Sequence, residues 1–144
     1  MTLDELQTAW ANDAVLDEAE VGRDSLGAAR LHAKWLKYLT DESLLAIAAQ
    51  NNYKKLYRQK FTWYAGTMSE DERKQLGWDN NPLKILRTDI AVYLDGDTEL
   101  SEAKLKLAYA ETKVKFLEGV MKHIYNRSYL LNNAIEWNKF IAGR

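Results

Sequence analysis

Hydrophobic residues in the last third of the chain recur at alternating spacings of three and four, and this pattern restricts the fold more than any other. The positions are Leu100, Ala103, Leu107, Ala110, Val114, Leu117, Met121 and Ile124, and the register continues to Leu131 and Ile135. An a/d pattern of this length is typical of a long helix with one apolar seam. Such a seam packs either in the chain's own core or against another copy of the chain, and the pattern alone leaves both alternatives open.

The first part of the sequence also favours helices, beginning with a short one at residues 3–11. Thr2 and Glu5 are spaced as a capping box, in which a hydroxyl and a carboxylate satisfy free backbone amides at a helix start. Residues 12–24 are acidic and aperiodic, which predicts a linker and leaves residues 1–23 as an arm able to pack on a neighbouring molecule. Helical periodicity then resumes and runs to a stop at Gly66.

Cap and breaker residues divide the sequence between the two long helices. Ser69 is placed to cap a brief helix that ends at Gly77. Pro82 is well placed as the first residue of another helix, because its missing N–H would be unbonded there anyway. We expect that helix to end near residues 95–97. The asparagines within residues 126–133 predict a bend before the last apolar segment.

These patterns predict a single all-α domain over residues 1–144, with a basic and aromatic helical part at 24–66 and C-terminal helices at 98–144. A chain of 144 residues suits one hydrophobic core. No apolar run approaches the ~18 residues that a membrane span needs. The start lacks an export signal and the chain has no cysteine, so we expect a cytoplasmic protein without disulfides or membrane contact.

Motifs for catalysis are nearly missing from the sequence. His32 and His123 stand alone, without a second histidine or a carboxylate at metal-ligand spacing, and there is no glycine-rich phosphate loop. The segment 95–99 resembles a calcium loop only superficially, because its glycine is in the second position where an EF-hand has it in the sixth. We therefore expect no enzymatic activity, no cofactor and no metal.

A net charge of −1 hides four blocks of alternating sign. Residues 1–30 hold two basic and seven acidic side chains, and 31–60 hold six and two. Residues 61–102 hold four basic and nine acidic side chains, and residues 103–144 hold eight basic and three acidic ones. Such blocks are compatible with steering of a polyanion, with pairing between subunits, or with ordinary solvated helix faces.

The stretch from Tyr53 to Tyr64 contains four cations, five aromatic residues and no acid. Cations beside aromatic rings suit single-stranded nucleic acid, whose phosphates pair with the charges while its bases stack on the rings. The aromatic residues alone are more typical of a helix core. Four cations would give a log–log salt slope of only about −3 on a single strand, so useful affinity requires several copies of the site.

Short motifs in one register resemble the UvsY family of phage recombination mediators. They comprise Leu3-x-x-Leu6-Gln7, Asp13 and Asp17, Leu31-x-x-Lys34-Trp35-Leu36, Ala49-Gln50, Tyr64-x-Gly66, Ala134-Ile135 and Phe140-x-Ala142-Gly143-Arg144. The family's basic motif Lys-Ala-Arg-Leu falls on residues 58–61, where the two basic residues are exchanged. The first 66 residues align without a gap, whereas residues 67–110 match poorly.

The resemblance implies a non-catalytic, ring-shaped hexamer or heptamer that binds single-stranded DNA. Such proteins help to load a recombinase onto DNA covered by the single-stranded-DNA-binding protein, and they contact both partners. Arg58 and Lys60 match the family's DNA-contact positions. Charge and helical spacing add further candidates, namely Lys54, Lys55, Lys34, Lys37 and Tyr57.

The heptad pattern and the implied ring together predict that the C-terminal helices join the subunits. The residues expected at the contacts are Leu107, Val114, Leu117, Met121, Ile124, Leu131, Ile135 and Phe140. Two alternatives remain. One is a structural scaffold whose basic block pairs with a neighbour's acidic block, and the other is an all-α nucleotide hydrolase with degenerate carboxylates.

Overall fold

The computed structural model describes residues 1–15 and 21–143, without the side chains of 21–26, 28, 128 and 131. Five helices and no strand occur within these residues, so the predicted all-α class is confirmed. The helices are α1 (Leu3–Asp13), α2 (Val21–Ala65), α3 (Glu70–Leu76), α4 (Ile90–Asp95) and α5 (Thr98–Ile141). The predicted 12–24 linker is wrong at both ends, since residues 12–13 belong to α1 and 21–24 to α2. Residues 16–20, which include the motif residue Asp17, and Arg144 lie outside the described residues.

Several helix ends lie where the capping signals place them. The Thr2 hydroxyl accepts a hydrogen bond from the Glu5 amide at 3.1 Å, while the Glu5 carboxylate accepts one from the Thr2 amide at 3.0 Å. α2 ends before Gly66, whose φ of 74° lies in the left-handed region that suits glycine. α3 begins after Ser69, and Gly77 ends it with a φ of 69°.

The prediction of a helix that begins at Pro82 is wrong, since α4 begins only at Ile90. The Asn81 side chain explains the difference. Its Nδ2 donates to the carbonyls of Trp63 and Tyr64 at 3.4 and 3.3 Å, and its Oδ1 accepts from the Leu83 amide at 3.1 Å. The start of the segment is therefore used to cap the end of α2.

The bend predicted at 126–133 is also missing, because α5 continues without interruption to Ile141. Asn132 and Asn133 are exposed. Their amides face water, so they do not have to leave the helix to find hydrogen-bond partners.

The chain forms two compact units: unit 1 comprises Met1–Ser43 and Thr112–Arg144, and unit 2 comprises Leu44–Glu111. Both α2 and α5 contribute residues to each unit. The unit boundaries therefore do not coincide with the predicted parts 1–23, 24–66 and 98–144.

Unit 1 has an aromatic and aliphatic core to which α1 contributes directly. Leu6 and Trp35 are completely buried there, and Trp10 meets Trp35 edge-to-face with ring centroids 5.4 Å apart. Arg127 donates hydrogen bonds to the carbonyls of Asp13 and Val15 at 2.9 and 3.0 Å. The apolar face of α1, which belongs to the predicted arm, therefore packs within unit 1 of its own chain.

The core of unit 2 joins α4 and the start of α5 to one side of α2. Ile90, Leu94 and Leu100 are buried, with partly buried side chains around them. The surrounding residues are Tyr53, Leu56, Tyr64, Ala65 and Ile85. This core fixes the side of the basic and aromatic stretch that can face solvent.

Candidate nucleic-acid interface

The aromatic residues of 53–64 divide between the interior and the surface of unit 2. Tyr53 and Tyr64 pack against the buried core, as the alternative of a helix core predicts. Tyr57 and Phe61 lie one helical turn apart and stay 43% and 37% exposed. Two rings are thus open to a stacking partner.

Lys54 and Lys55 extend this exposed side of α2. Both side chains are exposed, and neither forms an ion pair with any residue that the structure describes. No described carboxylate competes for their ammonium groups, so both are available to a polyanion.

Arg58 is exposed but has an acidic partner. Its guanidinium lies 3.1 Å from the Glu72 carboxylate in α3, and the Arg58 side chain remains 60% exposed. An ion pair this open to water contributes about 0–1 kcal/mol, so a phosphate can compete for the guanidinium.

Lys60 differs from the other cations of the stretch because it is buried, with only 8% of the residue exposed. Its Nζ lies 3.1 Å from Asp97 and 3.6 Å from Glu99. The same ammonium sits 4.5 Å from the centroid of the Trp78 ring. Although the 53–64 stretch contains no acidic residue, Lys60 is paired, because Asp97 and Glu99 at the start of α5 supply carboxylates.

Asp97 connects this lysine to the cap of α5. One carboxylate oxygen accepts from the Leu100 amide at 2.9 Å, and the other accepts from the Tyr64 hydroxyl at 2.6 Å. Burial opposes ionisation, but the hydrogen bonds from Tyr64, Leu100 and Lys60 outweigh it and hold the pKa of Asp97 below its usual range. Burial and the bond to Asp97 raise the pKa of Tyr64.

Lys34 and Lys37 belong to unit 1 and not to unit 2. Lys34 donates to Asp13 at 2.8 Å, a bond that raises the pKa of Lys34 against the opposing effect of burial. Lys37 pairs with Asp41 at 3.0 Å, and both of these side chains are well exposed. Of the two, Lys37 is the more available to an anion.

Two cations outside the predicted set lie beside the exposed rings. Lys104 shares a pocket of about 420 Å³ with Tyr53 and Tyr57. Arg87 shares a pocket of about 400 Å³ with Phe61. Lys104 was one of eight basic residues in its charge block, and Arg87 lies in an acidic block, so neither position had a local signal.

The predicted oligomerisation residues have very different surroundings. Leu117 and Ile124 are buried in the core of unit 1, and Met121 packs against that core. The chain itself therefore covers part of the seam. Leu107, Val114 and Ile135 are partly exposed, Phe140 is 72% exposed, and the Leu131 side chain lies outside the described residues.

A set of exposed apolar side chains follows the buried part of the seam along α5. We call it the C-terminal apolar set, and it comprises Tyr125, Tyr129, Leu130, Trp137, Phe140 and Ile141. Trp137 and Phe140 stack on each other with centroids 5.6 Å apart. So many large apolar side chains on one segment are typical of an interaction surface.

Neither a metal centre nor a membrane span is apparent in the described residues. No three histidine or acidic side chains among them are grouped as metal ligands. None of their helices combines the length and the apolar character that a bilayer crossing demands.

Comparison with known proteins gives one family. The family model described as "Recombination, repair and ssDNA binding protein UvsY" matches residues 9–144. A search by sequence among curated proteins gives no significant match.

Crystal structures of the bacteriophage T4 recombination mediator protein UvsY share the fold. The first, in lattice type II, has a TM-score of 0.86 and 17% identity and covers 99% of this chain and 98% of that one. The second, in lattice type IV, has a TM-score of 0.84 and 16% identity and covers 97% of this chain and 99% of that one. A third, in lattice type I, has a TM-score of 0.81 and 15% identity and covers 94% of this chain and 98% of that one.

Proposed function

The chain belongs to the UvsY family of recombination, repair and single-stranded-DNA-binding proteins, and from this membership we propose that it is a recombination mediator. In this role it binds single-stranded DNA covered by the single-stranded-DNA-binding protein and helps a recombinase to assemble there. The observation that carries the proposal is the open side of the 53–64 stretch, where Lys54 and Lys55, which form no ion pair with the described residues, flank exposed aromatic rings.

The direct DNA contacts in this proposal come from the exposed side of α2. Lys54, Lys55 and Arg58 contact phosphates, and Tyr57 stacks on a base. Lys37 is a further phosphate contact on unit 1. Lys60 acts indirectly because it is buried beside Asp97, and Lys34 acts indirectly because its side chain, held by Asp13, is less exposed than those of Arg58 and Lys37.

The number of open cations sets the strength of this binding. The three phosphate contacts of the 53–64 stretch alone give a log–log salt slope of about −2 per subunit on a single strand, which is typical of weak binding. Several subunits that hold the same strand would raise the affinity through effective concentration. The proposal therefore includes a homo-oligomer.

We assign assembly to the C-terminal apolar set, in a ring of six or seven subunits. These side chains are exposed in one copy of the chain, and their burial between copies would supply the favourable free energy of association. Phe140→Glu is expected to lower the particle mass in light scattering while the helical circular dichroism is kept. Leu117→Glu, by contrast, places a charge in the core of unit 1 and should unfold it.

The proposed mechanism uses binding energy and no chemistry. Several subunits hold one strand in an extended or bent path, which weakens the hold of the covering protein and offers a segment on which recombinase nucleates. Any nucleotide hydrolysis belongs to the recombinase. The recombinase and the covering protein are thus the two protein partners of the proposal.

A fluorescent dT oligonucleotide, titrated at several salt concentrations, tests the DNA-binding part. The proposal requires binding that weakens steadily as salt rises. Binding without salt dependence, or no binding at all, would contradict it. The mediator part is tested by recombinase filament formation on DNA covered by the binding protein. The chain should shorten the lag, and a lag of unchanged length would overturn that part.

The alternative of a scaffold without a nucleic-acid role has one supporting observation. Arg58 and Lys60 both pair with acidic side chains, which shows that this basic block can be neutralised by carboxylates. The scaffold predicts a stable oligomer and no oligonucleotide binding. The same titration therefore separates the two functions.

A further inference from the structure

Each exposed ring of α2 lies at the wall of a pocket that also holds a cation. The first pocket, about 420 Å³, is lined by Tyr57, Tyr53 and Lys104, together with Leu94, Asp95, Leu100 and Ser101. The second, about 400 Å³, is lined by Phe61 and Arg87, together with Ala65, Thr67, Ile85 and Ile90. Both volumes fall in the range of ~300–1,000 Å³ that is usual for small-molecule sites.

We propose that each pocket receives one nucleobase of a single strand, stacked on Tyr57 or Phe61, with Lys104 and Arg87 contacting the neighbouring phosphates. This proposal rests on the DNA-binding function proposed above and specifies where two consecutive nucleotides of the strand lie. It adds Phe61, Lys104 and Arg87 to the interface.

The chemistry of the pocket walls matches a nucleotide. A nucleobase has two flat π-faces that stack on an aromatic ring, and its phosphate needs a nearby cation. Tyr57 with Lys104, and Phe61 with Arg87, each supply this pair of groups. Lys104 and Arg87 are exposed and form no ion pair with the described residues, so their charges are available.

The polar groups of the first pocket favour a base over other flat ligands. Asp95 and Ser101 line the same pocket as the tyrosines, and they offer a carboxylate and a hydroxyl to the edge of a stacked ring. A carboxylate accepts hydrogen bonds from the amino groups of cytosine, adenine or guanine, whereas thymine has no amino group. We therefore expect the first pocket to prefer a base with an amino group to thymine.

The spacing of the two rings implies an extended strand. Tyr57 and Phe61 are four residues apart, which is about 6 Å along the axis of a helix. Stacked nucleotides in one strand of a duplex repeat every ~3.4 Å. Two neighbouring bases cannot stack on each other and also occupy both pockets, so binding here would unstack and stretch the strand.

The first test compares oligonucleotides that differ in bases but not in phosphates. The intact protein is titrated with a dC oligonucleotide and with one of equal length whose central residues are abasic. The proposal expects the abasic strand to bind at least about five times more weakly, because stacking is lost. In Tyr57→Ala/Phe61→Ala, checked for unchanged helical circular dichroism, the two strands should bind alike.

The result separates this proposal from the proposed function. If neither strand binds in a salt-dependent way, both proposals fail. If the dC strand binds but the abasic strand binds equally well, the DNA-binding function stands and the base pockets are wrong. An abasic penalty that survives unchanged in the double variant would also overturn the pockets.

Each of the two cations has a matched control a few residues away in the chain. Lys104→Ala should reduce the magnitude of the log–log salt slope by about 0.7, the contribution of one phosphate contact on a single strand. Lys106→Ala is the control, since Lys106 is exposed and lies two residues farther along α5. Arg87→Ala is compared with Lys84→Ala in the same way. Equal slopes for the members of both pairs would contradict the proposal.

Discussion

The two sides of the 53–64 stretch use the same residue types for different purposes. On the open side, Lys54, Lys55 and Tyr57 face solvent. On the closed side, Lys60 and Tyr64 both bind the carboxylate of Asp97, the residue that precedes α5. A basic residue in a motif is therefore not in itself evidence for a ligand contact, because the rest of the fold decides whether its charge is available.

The largest expected effect is on folding, at the closed side. Lys60→Met leaves Asp97 buried beside Tyr64 without its ammonium partner, and loss of one member of a buried pair costs about 3–5 kcal/mol. Urea unfolding measures the change. Arg58→Met is the matched control, and we expect its free energy of unfolding to change by less than about 1 kcal/mol, because the Arg58–Glu72 pair is open to water.

A second variant shows whether the pair itself is responsible. Lys60→Met/Asp97→Asn removes both charges, so it should recover part of the stability that Lys60→Met loses. Equal losses in Lys60→Met and Arg58→Met, with no recovery in the double variant, would remove the distinction between the two sides.

A smaller effect on stability follows from the proton equilibria of the closed side. The pKa of Asp97 is lower in the folded chain than its ordinary value of 3.8, so the stability it contributes is present above pH 3.8. That contribution is lost as the pH falls through the folded pKa of Asp97. The pKa of Tyr64 is raised from 10.0, so its contribution is complete below pH 10 and is lost at higher pH.

Urea midpoints measured from neutral pH downwards check this for the carboxyl. The parent chain should lose stability below pH 3.8 more steeply than Asp97→Asn, which has no group to protonate there. Parallel acid profiles for the two proteins would show that Asp97 does not contribute to the pH dependence.

The smallest expected effect concerns DNA affinity at the open side. Glu72→Gln removes the carboxylate that competes with phosphate for Arg58. Because the pair is exposed, we expect the affinity for a dT oligonucleotide to rise by a factor of only about two or three. Asp71→Gln controls for the general loss of one negative charge in α3, and an equal gain in both variants would show that the Arg58–Glu72 pair is irrelevant.

Local signals in the sequence were sufficient to predict most helix ends. Thr2, Ser69, Gly66 and Gly77 act through neighbours within a few residues, so their roles follow from sequence alone. Pro82 has an equally good local signal, but Asn81 holds the start of that segment against carbonyls 17 and 18 residues earlier. No local rule includes such a contact.

The candidate site was predictable only as a segment. The composition of 53–64 singles out this stretch of α2, because both the charge and the rings are local properties, and its binding of nucleic acid stays a prediction. The separation of Arg58 from Lys60 was not predictable, since Asp97 lies far along the chain and comes near only through the core of unit 2. Lys104 and Arg87 were not predicted as site residues for the same reason, since each comes near an exposed ring only through the fold.

The heptad seam shows the same limit. Its period correctly indicates a long helix, but it does not tell which positions the chain covers itself. Leu117 and Ile124 are buried in unit 1, whereas Phe140 is exposed near the end of the same helix. Burial depends on what packs opposite each turn, and α1 supplies part of that cover through Leu6.

The most direct test of the division between the two sides is the salt dependence of oligonucleotide binding in Arg58→Met and Lys60→Met. Affinities are corrected for the folded fraction of each variant. The division predicts that Arg58→Met reduces the magnitude of the log–log slope by about 0.7, while Lys60→Met leaves the slope at the parent value. A slope that falls in Lys60→Met as much as in Arg58→Met would contradict it.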